Sequence, residues 1–213
     1  MLAPKDKLIV NFPNAISIAR IIISPVILFF LISGDKYLIL SACVLYFIAS
    51  FTDTIDGWYA RKYSKETSLG RFVDPLADKA LTACAFIALV IMGIVELWMV
   101  AIIIFRDIGT TVMRIYADSV QKPMKTSMTA KWKTTFQMIF TSVVVVLIFL
   151  KEAKSFTSNT IGINPTFISD ILKSNYVYFS MLFITLFTVW TIVEYIINNK
   201  NLFRKAEKPP QTR

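Results

Sequence analysis

The chain has no histidine at all. That removes the commonest general base and the commonest transition-metal ligand. Cysteine is scarce: Cys43 and Cys84 each lie inside an apolar run, as packed or lipid-buried residues rather than a disulfide. Zinc, which takes imidazole and thiolate, is disfavoured on both counts. No internal repeat is present. Charged residues make up only 17% of the 213, against 55% hydrophobic. The mean hydropathy of +0.60 is too high for an ordinary soluble domain.

What is present is long apolar runs. Six are long enough, or nearly so, to cross a bilayer: about Ala15–Ser33, Tyr37–Phe51, Ala80–Leu97, Trp98–Val112, Thr134–Leu150 and Tyr176–Ile197. The third and fourth nearly merge, and Gly93 and Glu96 place a tight turn between them. The predicted fold is an all-α integral membrane protein of six transmembrane helices. Residues 1–14 are a cytoplasmic segment, 15–198 the six-helix domain and 199–213 a cytoplasmic tail. The stretch Lys5–Ser17 reads either as a short interfacial piece or as a frayed lead into the first helix. Gly34-Asp35-Lys36 follows the first run without a small-residue cleavage pattern, so that run is expected to be retained. Glu152–Asp170 reads as a polar outer loop with no visible chemistry.

Net charge is +9. Nucleic acid is excluded as its cause by how the cations are distributed. The two termini and the Arg61–Lys79 and Arg106–Lys133 links hold 19 of the 23 Lys and Arg residues, and the other side of the membrane holds 4 (Lys36, Lys151, Lys154, Lys173). Such a bias sets orientation, with both termini in the cytoplasm. The excess charge then serves topology and attraction to anionic membrane lipids.

Against this background four carboxylates stand out: Asp53, Asp56, Asp74 and Asp78. Asp53 lies 16 residues after Tyr37, roughly 24 Å along a helix, near the cytoplasmic boundary of the second span. Asp74 and Asp78 mark the start of the third. The spacings i, i+3 and i, i+4 put each pair on one helix face. If the faces meet, four like charges converge in a low dielectric and repel. Protonation relieves this; divalent cations relieve it better, because carboxylates are hard ligands for Mg²⁺ or Mn²⁺. Two such ions neutralise all four charges and form a clamp suited to phosphoryl chemistry. The bland alternative is capping, with Asp74-Pro75 as a helix start. Gly57, Ala60 and Gly70 lack bulk and let a flat base and ribose approach the backbone, within reach of Arg61.

Asp53, Asp56, Gly57, Ala60, Arg61, Gly70, Asp74 and Asp78 together resemble the signature of the CDP-alcohol phosphotransferase family, eight fixed positions over 26 residues without a departure. The resemblance implies six membrane helices, a homodimer, and transfer of a phosphate-linked group from a CDP-activated donor to an alcohol with release of CMP. It implies that Asp53, Asp56, Asp74 and Asp78 hold two divalent ions, Mg²⁺ or Mn²⁺, and that Asp78 is also the base for the acceptor hydroxyl. Asn14, Asp56, Gly57, Ala60, Arg61, Thr67 and Gly70 are then expected to bind the CDP donor.

Two stretches resemble the glycerophosphate-using branch of that family. In "NFPNAISIARIIISP", Pro13, Asn14, Ser17, Arg20 and Pro25 fit, with Ser17 where Thr is more usual. Arg20 lies inside an apolar span and either faces the site or snorkels to headgroups. In "AKWKTTFQM", Ala130 replaces a more usual Gly. Arg106 lies within the fourth span, Arg114 two turns later on nearly the same face, and Lys131 and Lys133 open the fifth. Asp107 is judged a poor partner for Arg106, because neighbours on a helix point about 100° apart. With Arg20 these cations are expected to bind a phosphorylated acceptor. The expected reaction joins CDP-diacylglycerol to sn-glycerol 3-phosphate, giving phosphatidylglycerophosphate and CMP at the cytoplasmic face. The alternatives are another acceptor on the same scaffold (in cardiolipin, phosphatidylinositol phosphate or phosphatidylserine synthesis) and, more distantly, a carboxylate-based ion transporter, which needs polar residues across the whole membrane depth.

The orientation is checked by single-cysteine labelling in intact cells. A cysteine at Ser158 should react with an impermeant reagent from outside, and one at Ser64 only after the membrane is opened. The reverse pattern would put the four aspartates on the wrong side of the membrane for cytosolic substrates.

Overall fold

The computed structural model describes residues 12–63, 70–119, 128–154 and 165–198. Among them there are seven α-helices and no strand: α1 Phe12–Leu31, α2 Lys36–Tyr63, α3 Gly70–Ile91, α4 Leu97–Ser119, α5 Met128–Ala153, α6 Pro165–Leu172 and α7 Asn175–Asn198. Each of the six expected runs falls largely on one helix, the third giving way to a turn after Ile91. One part of the expected outer loop is not loop: α6 occupies Pro165–Leu172, with Ile168 and Leu172 buried. Two segments, Trp132–Ala153 and Thr166–Asn198, are long and apolar enough to cross a bilayer, and only 33% of each apolar window is buried. Soluble core helices are mostly buried. Here Tyr176, Phe179, Leu186 and Trp190 point outward along α7, as side chains facing lipid do.

The chain divides into two compact units. One holds α1, α2, α3, the part of α5 from Thr141, and α6; the other holds α4, α5 up to Phe140, and α7. In the first unit α1 is central and packs against both α2 and α3, which also touch each other. Its buried stripe is Ser17, Arg20, Ser24, Ile27 and Leu31, alternating steps of three and four residues that keep one face turned inward. The partners present small residues: Ala42 and Ala49 on α2; Ala77, Ala85 and Ala88 on α3. In lipid there is little hydrophobic gain from bringing helices together, so close backbone approach over alanine supplies dispersion contact instead. In the second unit α4 packs on α7.

The turns are built from local chemistry. After α1, Gly34 takes φ +74° and Asp35 caps α2, its Oδ1 accepting from the amides of Tyr37 (2.7 Å) and Leu38 (3.3 Å). After α3, Gly93 takes φ +69°. Its amide donates to the Val90 carbonyl and that of Ile94 to the Leu89 carbonyl, both at 2.9 Å. This is the paired closure that a left-handed residue past a helix end permits, and it makes the expected break between the third and fourth runs.

Gly93→Ala meets no neighbouring atom within 4 Å, so its cost is backbone strain alone, about 1–2 kcal/mol. Asp35→Ala removes a cap worth about 1 kcal/mol. Both should lower the thermal midpoint in detergent without altering helix content. An unchanged midpoint in Gly93→Ala would contradict the left-handed turn.

Candidate functional site

The 28-residue α2 is roughly 42 Å long, more than a hydrocarbon core of about 30 Å. It continues past Phe51, so Asp53, Asp56, Gly57, Ala60 and Arg61 are carried on a helix rather than a loop. α3 begins at Gly70, ten residues before its apolar run. Asp74 and Pro75 therefore lie inside the helix and do not start it, which removes the capping alternative for Asp74. Both acidic pairs thus keep their helical spacing, each on one face. Asp78 is half-buried, with Thr82 Oγ1 donating to its carbonyl at 3.0 Å.

The side chains of Asn14, Asp53, Asp56, Gly57, Ala60, Arg61, Gly70, Asp74, Arg114 and Lys131, and all of Thr67, lie outside the described residues. Among the described residues no group of three or more acidic, Cys or His side chains gathers in a way that would hold a metal. The four aspartates are accordingly characterised by their place on α2 and α3. As a donor set, four carboxylates on two helices that touch are all hard oxygen ligands, the chemistry that fits Mg²⁺ or Mn²⁺.

Arg20 is 3% exposed and sits on the inward stripe of α1, so it does not snorkel to the surface. One turn on, Ser24 Oγ donates to its carbonyl at 2.6 Å.

The second unit holds a buried charge cluster. Arg106 Nη1 donates to Asp107 Oδ1 at 3.1 Å, and Lys133 Nζ on α5 donates to the same oxygen. The side chains are 8%, 17% and 1% exposed for Arg106, Asp107 and Lys133. The expectation that Asp107 is a poor partner is therefore wrong. The angle of about 100° separates Cβ directions, but an arginine has four further bonds with which to curl back to a neighbour. Sequence reasoning weighed Asp107 and dismissed it on that angle alone. The available signal was an acid inside the apolar fourth run, next to an arginine, where an unpaired charge is costly.

Local bonds hold this cluster in place. Thr110 Oγ1 donates to the Arg106 carbonyl (3.0 Å) and Thr111 Oγ1 to that of Asp107 (2.7 Å). The start of α5 is tied to α7 by the Thr129 hydroxyl donating to Glu194, and by Phe136 set edge-on to Phe183 (6.1 Å) and Phe187 (5.9 Å). Glu194 went unnoticed in the sequence. Buried polar groups extend deeper than expected, to Gln137, Thr141, Thr185 and Thr188. Thr185 and Thr188 donate to carbonyls of their own helix, as a satisfied lipid-facing helix requires, and they form no chain of charges.

A model of the CDP-alcohol phosphatidyltransferase family matches residues 10–190. The chain belongs to that family: it is a transferase of membrane phospholipid synthesis. It is similar to the CDP-diacylglycerol–glycerol-3-phosphate 3-phosphatidyltransferase of Bacillus subtilis (strain 168), 36% identical over 144 residues, 62% of this chain and 75% of the relative. The protein of the same name from Rickettsia typhi is 34% identical over 135 residues, 63% and 76% of the two chains. A probable phosphatidylglycerophosphate synthase of Mycobacterium tuberculosis (strain H37Rv) is 36% identical over 110 residues, 50% and 53% of the two.

Proposed function

We propose that the protein transfers the phosphatidyl group of CDP-diacylglycerol to sn-glycerol 3-phosphate, giving phosphatidylglycerophosphate and CMP. The observation that carries the choice of acceptor is Lys133. A lysine 1% exposed inside an apolar helix meets Arg106 about one carboxylate, so two cations of the kind that bind phosphate are brought together. The names of the relatives support the same acceptor.

The residues divide the work. Asp53, Asp56, Asp74 and Asp78 would hold two divalent ions, which supply charge neutralisation for the diphosphate and the departing CMP. Gly57, Ala60 and Gly70 admit the cytidine, with Asn14, Asp56 and Thr67 beside it, and Arg61 meets the diphosphate. Arg106, Arg114, Lys131 and Lys133, with Arg20, orient the acceptor through its phosphate. Asp78 takes the proton of the acceptor hydroxyl. The hydroxyl oxygen bonds to the β-phosphorus, the β-phosphoanhydride bond breaks, and its electron pair leaves with CMP. Six spans, both termini and the site on the cytoplasmic side, one catalytic domain over 15–198 and a homodimer belong to the same reading.

The test is a steady-state assay of the purified protein with a panel of acceptors. The wild type should use glycerol 3-phosphate far better than serine, inositol phosphate or phosphatidylglycerol; a preference for any of these would overturn the acceptor. Asp74→Asn should abolish turnover that depends on added Mg²⁺ or Mn²⁺. Asp78→Asn should lose about 10²–10⁴-fold or more in kcat while still binding CDP-diacylglycerol. Arg114→Ala should raise KM for glycerol 3-phosphate at least about tenfold and leave that for the donor within a few-fold; Arg61→Ala should do the opposite. Near-normal turnover of either aspartate variant at saturating Mg²⁺ would refute the metal assignment.

A further inference from the structure

We infer that Asp107 is a positioning residue for the acceptor: its carboxylate holds Arg106 and Lys133 together as one cationic cradle for the acceptor phosphate. The inference rests on the acceptor reading above. Both cations donate to the same oxygen, Oδ1. The heads of two long, flexible side chains from two different helices therefore meet at one atom, in a place where none of the three side chains is more than 17% exposed. Without the carboxylate, two like charges in a low dielectric would part. With it, they stay together.

A carboxylate is itself repelled by a phosphate, so Asp107 acts through its neighbours and not on the substrate. Arg106 keeps a donor to offer. A guanidinium carries five N–H groups in a fixed fork. Among the described residues nothing accepts from Nε of Arg106. The geometry is also held from behind. Thr110 and Thr111 brace the turn of α4 through the carbonyls of Arg106 and Asp107. Thr129 and Glu194 fix the end of α5 that carries Lys133. A site whose supporting shell locks its side chains binds without first paying to order them.

The opposite role is conceivable for the same contacts: a carboxylate that occupies the anion site and must be displaced. The two roles differ in sign. If Asp107 positions, removing its charge weakens acceptor binding; if it competes, removal strengthens it.

The experiment compares Asp107→Asn, Asp107→Glu, Lys133→Gln and the Asp107→Asn/Lys133→Gln double variant with wild type, each checked for a monodisperse elution profile. Asp107→Asn should raise KM for glycerol 3-phosphate about tenfold or more, with kcat and the KM for CDP-diacylglycerol within a few-fold. Asp107→Glu, which keeps the charge, should lie nearer wild type. The double variant should be little worse than Lys133→Gln alone, because Asp107 works through that lysine. A lowered acceptor KM in Asp107→Asn would overturn the inference in favour of competition. Parallel loss of kcat and both KM values, unrelieved in Asp107→Glu, would overturn it in favour of a purely structural role. So would effects that simply multiply in the double variant. Failure of the acceptor reading itself shows in the wild type: with another phosphorylated alcohol preferred, the variants are compared on that alcohol, and with an acceptor lacking phosphate both readings fall.

Discussion

An ion inside an apolar helix pair has to find its opposite there, and the meeting of Lys133 and Arg106 on one oxygen of Asp107 is where this protein solves that problem. Removing one partner of a buried pair typically costs about 3–5 kcal/mol, because the other is left uncompensated, whereas an exposed pair is worth about 0–1 kcal/mol. Lys151 and Glu152, 3.5 Å apart with the lysine 40% exposed, belong to the second kind. The cluster ties α4 to α5. Thr129 and Glu194 tie α5 to α7 by the same logic, a polar pair closed between helices. Three other buried hydroxyls bond locally: Ser24, Thr185 and Thr188 each donate to the carbonyl four residues back on their own helix.

Helix length is the other half of the design. α2 overshoots its apolar run by twelve residues and α3 precedes its own by ten. Each acidic pair is thus fixed on a regular backbone whose spacing cannot drift. On the proposed reading, ligands on a loop would have to be ordered each time an ion bound, whereas ligands on two helices that touch would be ordered by folding. The packing of α1 against both of these helices over alanine supports the same end.

Among the described residues the apolar runs disclosed six of the seven helices, because a long apolar stretch reads as a helix whatever lies around it. Hydropathy says nothing about a helix once it leaves lipid, so the extensions of α2 and α3 were invisible to it, although the i, i+3 and i, i+4 spacings of the aspartates already presumed them. α6 escaped for a related reason: eight residues with Ser and Asp among them resemble a loop until tertiary contacts bury Ile168 and Leu172. In the candidate site the cations were legible as charges out of place. Their counter-ion was not, because helical wheels describe where side chains start and not where long ones end. Glu194 and its threonine lie 65 residues apart in sequence, and no local pattern joins them.

On the proposed reading the two substrates, both anionic, are distinguished by the kind of positive charge each meets. The donor diphosphate would be met by charge borrowed from solution, since the four aspartates alone would repel it. The acceptor phosphate would be met by charge built into the chain. That charge is carried by Arg106 and Lys133, which meet on one oxygen of Asp107. Positive charge of this second kind does not depend on metal supply. A cell short of divalent ions would then lose donor activation first, while the acceptor cradle, held by Asp107, stayed intact.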